Sequence, residues 1–316
     1  MHHLKALCLL AISAVLSAPL HAQVSVPHEF AAGEKAVATE VNANFQALAG
    51  ALASALTKIE ELETELVTLK TSNALALDEF VEVIPDPNVS GGTTVRFVGV
   101  NVQLVSGSGA TDGEVNGLGN LIVGYNEATD ATTEFFCSNH YRTNQYDCEA
   151  GGGVWDTSHK SGSHNLIVGQ QHNYTHYAGF VAGHRNTVNG QNATVSGGRD
   201  NVAGYMSSIS GGAGNRATSD ASSVSGGSNN TASGAWSSVS GGASNEASIH
   251  WSTVVGGQDN TAGGYHSVVV GGRENIAHGQ KSVVASGRGN SAEGNNSIVL
   301  GGSANSAVST NSISPE

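Results

Sequence analysis

The sequence predicts a mainly β fold: a parallel solenoid of 14–15-residue rungs, preceded by an N-terminal α-helical coiled coil. Three observations predict it. Nine asparagines (Asn186, Asn201, Asn215, Asn230, Asn245, Asn260, Asn275, Asn290 and Asn305) recur at 15-residue intervals, with one 14-residue step after Asn201. A fixed period of this length is the mark of a stacked repeat architecture. Apolar residues from Ala38 to Leu69 keep an unbroken three-four spacing, the mark of a coiled coil. Finally, 42 glycines with 5% aromatic and 12% charged residues suit a β-solenoid better than a globular enzyme.

Residues 1–22 read as a cleaved secretory signal peptide. Lys5 precedes an apolar run from Ala6 to Leu16, and Leu20-His21-Ala22 offers a cleavage site. The expected compartment is therefore outside the cytoplasm: secreted or on the surface of a bacterial cell, with the periplasm as the other candidate. No other apolar stretch is long enough to span a membrane, so no integral anchor is expected in the chain.

After a short segment, 23–37, the heptads begin. Ala38, Phe45, Leu52, Ile59 and Leu66 fall at a; Val41, Leu48, Ala55, Leu62 and Leu69 fall at d. The stalk is assigned to 38–73, and its heptad run from Ala38 to Leu69 is about 48 Å long at ~1.5 Å per residue. Lys58 at g is placed to pair with Glu63 at e of another chain, and Asn73 occupies the next a position. A single amphipathic helix packed on the roll is the competing reading. Residues 79–118 alternate like strands at Phe80 to Ile84 and Val95 to Val105, with Pro85 and Pro87 between, and read as a β-rich connector.

A first rung starts at Asn120-Leu121-Ile122-Val123-Gly124, and the same five residues return at Asn165 to Gly169. Between them, in 119–162, lies an insertion carrying Phe135, Phe136, Tyr141, Tyr146, Trp155 and the cysteines Cys137 and Cys148. In an oxidising compartment this pair is expected to form a disulfide. The insertion reads either as a cap on the open end of the solenoid or as a ligand-contacting loop.

The rungs of 163–312 follow the unit Gly-Gly-x-x-Asn-x-Ala-x-Gly-x-x-Ser-x-Val-x. Period two within Ser-x-Val and Asn-x-Ala argues for two short strands joined by glycine-bearing corners. The inward columns are Val195, Ile209, Val224, Val239, Val254, Val269, Val284 and Val299, and Ala203 to Ala307 on the second strand. Glycine, and asparagine as its best substitute, are expected where corners need positive φ, with the asparagines stacked as a ladder between rungs. Flanking the valines, serines (Ser208, Ser210, Ser223, Ser225, Ser238, Ser240) give way to Val255, Val268, Val270, Ile298 and Leu300, an apolar face that asks for another subunit.

Several constellations could carry function. Trp236, Trp251 and His266 occupy one position on consecutive rungs, beside His250 and Tyr265, which stacks them into an aromatic strip at one corner. Such a strip either binds a sugar or protein partner or shields the corner. Phe135, Phe136 and Trp155 are the corresponding candidates in the insertion. His164, His172, His176 and His184 cluster without an acidic companion, and no metal or cofactor is expected. Asp259 and Glu274 lie near Arg273 and Arg288, which suits a solvated charge network better than paired catalytic acids. No catalytic residues are assigned. The formal net charge of −13 speaks against nucleic acid as partner.

The units Ser297-Ile298-Val299-Leu300-Gly301-Gly302 with Asn305-Ser306-Ala307, and Ser267 to Gly272 with Asn275-Ile276-Ala277, resemble the head repeat of YadA-like trimeric autotransporter adhesins. The resemblance covers 163–309. It implies a left-handed parallel β-roll, a homotrimer with chains packed side by side, and a head that binds host or matrix proteins or a surface glycan. Here the coiled coil precedes the roll, and the end of the sequence, Ser312 to Glu316, carries no pattern of an outer-membrane translocator barrel. Residues 30–48, with Glu40-Val41-Asn42-Ala43-Asn44-Phe45, are similar to segments near the start of phage tail-fibre-like proteins. The expected function is thus a non-enzymatic, adhesin-like surface fibre. The alternatives are a tail-fibre-like receptor-binding protein and, last, a polysaccharide-acting solenoid enzyme.

Overall fold

The computed structural model describes residues 24–70, 77, 79–129, 135–138 and 144–315. The expected signal peptide, Asn73 and Tyr141 lie outside the described residues. The chain divides into two compact units, meeting at Val102/Gln103.

The first unit contains helix α1 (Ala38–Lys70) and a hairpin of β1 (Val81–Pro85) and β2 (Thr93–Phe97). Glu40 sits in the first helical turn and Lys70 in the last, each complementing the helix dipole. Asn44 ties the preceding segment down: its Oδ1 accepts from the His28 N–H at 2.9 Å and its Nδ2 donates to the His28 carbonyl at 2.7 Å. None of the helix is buried, and Phe45, Leu48, Leu52, Ile59, Leu62, Leu66 and Leu69 all stand exposed. The Lys58 ammonium lies 2.8 Å from Glu61, one turn along the same helix. In the hairpin turn, the Asp86 carboxylate accepts from the backbone N–H groups of Asn88 and Val89 and from Thr94 Oγ1, which holds its carboxyl below the usual range. The expected second strand stops early. Pairing ends at Phe97, because Gly99 turns with φ +72° and the chain leaves β1 behind.

The second unit is a parallel β-solenoid of about ten turns, each contributing one strand to each of two sheets. One sheet stacks twelve strands, from β3 (Leu121–Val123) through β6 (Leu166–Gln170), β8 (Phe180–His184) and β10 (Thr194–Val195), then every even-numbered strand to β26 (Ile313–Ser314). The other stacks ten, from β7 (Asn173–Tyr174) through β9 (Thr187–Val188) and β11 (Val202–Ala203), then odd-numbered strands to β25 (Ser306–Ala307). Strand β3 pairs with β6 in register, Leu121 opposite Leu166, so the insertion interrupts the first turn without displacing it.

The core is one Val or Ile and one Ala per turn: Val195 to Val299 and Ala203 to Ala307 are 0–3% exposed. Two polar columns share the interior, the ladder asparagines and a serine column (Ser207, Ser222, Ser237, Ser252, Ser267, Ser282, Ser297) that sequence pattern alone left unassigned. A core this thin cannot hold a single turn, and stacking has to supply the stability.

The ladder differs in one respect from expectation. The asparagines themselves are not left-handed; the residue before each one is, as at Asp200, Asn229, Ser244, Asp259 and Glu274, with φ between +55° and +60°. The Asn is thereby turned inward, where its amide works on three backbone groups. Asn245 Oδ1 accepts from the Asn260 N–H at 3.1 Å, while its Nδ2 donates to the Gly241 and Gly257 carbonyls, both at 2.9 Å. The glycine pair is also asymmetric. A Cβ on the second glycine, Gly242 (φ +90°), would overlap the carbonyl oxygen of Gly257 on the next turn, whereas the first position is open, and Ser286 occupies it in one turn.

Candidate functional site

Two features of the second unit stand out on its surface. The first is the aromatic corner. In-register pairing of β16 (Ser238–Val239), β18 (Thr253–Val254) and β20 (Val268–Val269) carries Trp236, Trp251 and His266 into line just ahead of the strands. The rings stack: Trp236 on Trp251 at 5.0 Å and 7°, Trp251 on His266 at 5.0 Å and 14°. His250 and Tyr265 form a second row, 6.3 Å apart, with Tyr265 edge-on to Trp251 at 5.1 Å and to His266 at 4.5 Å. All five sequence-predicted residues therefore meet on one exposed corner, Trp236 at 52% and Trp251 at 39% exposure.

Their backbone is left-handed, as it is at this position on every turn from Ala178 to Asn311. Trp236, Trp251 and His266 all adopt φ of +55° to +57°, a conformation that costs a bulky L-residue roughly 1–2 kcal/mol and that Gly or Asn fills more cheaply. Asn192, Asn296 and Asn311 fill it on other turns, and so do Ala178, Met206, Ala221 and Lys281. Stacking has a second consequence: Trp251 spends both ring faces on its neighbours, so what it presents outward is ring edge.

The second feature is a cleft of about 1000 Å³ between the insertion and the second sheet. The insertion is a two-stranded hairpin of β4 (Phe136–Cys137) and β5 (Trp155–Asp156) with the short helix α2 (Gln145–Ala150) between them. The Cys137–Cys148 disulfide, Cα–Cα 5.6 Å and fully buried, pins α2 to β4. Asn144 caps α2, accepting from the Asp147 N–H at 2.9 Å. Phe136 is structural: its ring meets His159 edge-on at 4.6 Å and its carbonyl lies 3.0 Å from His159 Nε2. Phe135 is exposed and lines the cleft; Trp155, cross-strand from Cys137, does not. Opposite Phe135 stand Arg185, Arg199, Asp200, Arg216 and Asn189, none of which sequence reasoning had singled out. The one available signal was the gathering of three of the chain's seven arginines within the first turns of the solenoid.

The histidines are dispersed into separate roles. His172, 1% exposed, heads the Asn ladder: its Nδ1 accepts from the Asn186 N–H at 3.2 Å and its Nε2 lies 3.0 Å from the Val168 carbonyl. That is the bonding of a ladder asparagine, and it requires the neutral ring protonated at Nε2. Burial lowers the pKa of His172, partly opposed by those bonds, and burial lowers that of His176 as well. His164 Nε2 accepts from the Ser106 N–H, and His184 Nε2 faces Gln171 Oε1. Among the described residues no group of three or more His, Cys, Asp or Glu is placed to hold a metal ion. Glu274 lies between Arg273 at 3.0 Å and Arg288 at 3.3 Å, all well exposed, an arrangement of solvated ion pairs.

No family model matches the chain, and no curated protein matches it either. The fold defines a class: a parallel β-solenoid with about 15-residue turns, one N-terminal helix, and no described helix long and apolar enough to cross a membrane.

Proposed function

We propose that this chain is an exported, non-enzymatic surface fibre that binds a partner through its solenoid head. The observation that carries the reading is the aromatic corner. Two tryptophans and a histidine stack on consecutive turns at an exposed position that other turns fill with Ala, Met, Lys or Asn. A run of exposed stacked rings where other turns carry small or polar residues points to a role outside the fold itself. The resemblance of the repeats to YadA-like heads supports the same reading and supplies the class of partner, a host or matrix protein or a surface glycan.

In this proposal the fibre is a homotrimer with a left-handed roll. Helix α1 supports association, since a helix of 33 residues with an exposed heptad face needs a partner for that face. So does the apolar outer column of the roll, where Val255, Val270 and Leu300 are each about half exposed. Light scattering on the mature chain, residues 23–316, is expected to give three copies; a monomer refutes the fibre. Replacing Trp236 and Trp251 with Ala is expected to abolish binding to immobilised matrix proteins and neutral glycans while leaving the light-scattering mass unchanged. Undiminished binding sinks the corner as the contact surface.

A further inference from the structure

The cleft under the insertion gathers three of the seven arginines of this acidic chain. Arg185 is already committed, gripping the Asp200 carboxylate through Nε at 2.8 Å and Nη2 at 3.1 Å. Arg199 shares that carboxylate only loosely, at 3.7 Å, and its side chain is 65% exposed. The Arg216 side chain, exposed on β13 (Arg216–Ala217), has no hydrogen bond or ion pair among the described residues. Three guanidinium groups against one carboxylate leave the cleft with two positive charges, in a chain whose net charge is −13.

Two further features say what kind of anion fits. Asn189 Oδ1, buried in the cleft lining, has no hydrogen-bond partner among the described residues, and a buried acceptor of this kind calls for an O–H or N–H donor. Phe135, about half exposed, offers an apolar wall. A guanidinium fork matches a carboxylate in geometry as well as charge. A hydroxyl donor for Asn189 and a C–H face for Phe135 belong to the same molecule if that molecule is a sugar. A densely charged polyanion such as a nucleic acid fits worse: two uncommitted arginines cannot offset its repulsion from the acidic chain.

We propose that this cleft is a binding site for a carboxylated saccharide, its carboxylate on Arg216 and Arg199 and a ring hydroxyl on Asn189. The proposal rests on the reading of the head as a binding module, and it narrows the partner to an acidic glycan at a second place on that head. The carboxylate could belong to a uronic acid within a chain or to a terminal sialic-type sugar.

Calorimetric titration of the mature full chain with oligogalacturonate and with sialyllactose tells these sources apart. Oligogalactose, lactose and a poly-glutamate peptide serve as controls. One acidic sugar is expected to bind at least about tenfold more tightly than its neutral counterpart, since a charge-assisted fork contact is worth that much or more. Arg216→Gln and Arg199→Gln should each lose about tenfold in affinity with unchanged circular dichroism, and the binding should weaken with salt. The Trp236→Ala/Trp251→Ala double variant should bind the acidic sugar normally. Equal affinity for neutral sugars, equal competition by poly-glutamate, an unaffected Arg216→Gln variant, or silence from both acidic probes overturns the proposal. If binding of the acidic sugar persists in Arg216→Gln but vanishes in the tryptophan variant, the cleft assignment falls and the broader reading of the head survives.

Discussion

Asn245→Ala should reveal how much of the solenoid's stability the asparagine ladder carries. Asn245 is 1% exposed, in the middle of the stack. Removing its amide strands the Asn260 N–H, whose acceptor it is, and the Gly241 carbonyl, whose donor it is. The Gly257 carbonyl is less affected, because it also accepts from the Ala243 N–H at 3.0 Å. Two buried groups left unpaired, at about 1–3 kcal/mol each, put the loss near 4 kcal/mol. Asn305 is the internal control. It lies at the end of the ladder, donates to Gly301 at 2.8 Å, and serves no later Asn, so Asn305→Ala should cost about 1 kcal/mol or less. Denaturant unfolding followed by circular dichroism compares the two variants. Because a solenoid opens locally, amide exchange at Asn260 is the more direct measure and should quicken only in Asn245→Ala. Equal losses at the two sites, or an unchanged Asn260 exchange rate, would falsify the ladder as the principal polar support.

Other perturbations test separate parts. The neutral His172 ring is needed at the head of the ladder and its pKa is depressed by burial, so the unfolded chain binds a proton more readily than the folded one. Stability should therefore be complete above about pH 6.5 and decline as pH falls below it. His172→Asn should flatten that decline in a pH series of thermal melts, with a residual slope from the similarly depressed His176. Reducing Cys137–Cys148 should raise amide exchange within residues 135–156 and weaken any ligand of the cleft while leaving the exchange of the solenoid core unaltered. Leu52→Asp with Ile59→Asp, both on the exposed heptad face, should lower the molecular mass measured by light scattering.

Much of this architecture was legible in the chain because each residue of a solenoid is repeated under the same constraints. The 15-residue period gives the turn, period two gives the strands, and the inward Val and Ala columns follow, since a thin core admits only small apolar side chains. The matching runs at Asn120 and Asn165 located the interrupted first turn for the same reason. In-register stacking also allowed the aromatic corner to be read residue by residue. Where repetition ends, so does this legibility. The cleft draws Phe135 from an insertion of unique sequence and its arginines from different columns of different turns, a juxtaposition set by how the insertion folds back over the second sheet. Backbone conformation was equally invisible. Which residue of each corner turns left-handed depends on where the chain must reverse to close one turn on the next, and the structure puts it one residue before the asparagine. The serine column and the neutral His172 became assignable only once burial and bonding partners were known. The sequence by itself determined the repeat, its strands and its aromatic corner, because these are local and recur. Only the tertiary structure decided the cleft, the exchange of Asn for His at the head of the ladder, and the ring faces already spent in stacking, because each arises from residues brought together across turns.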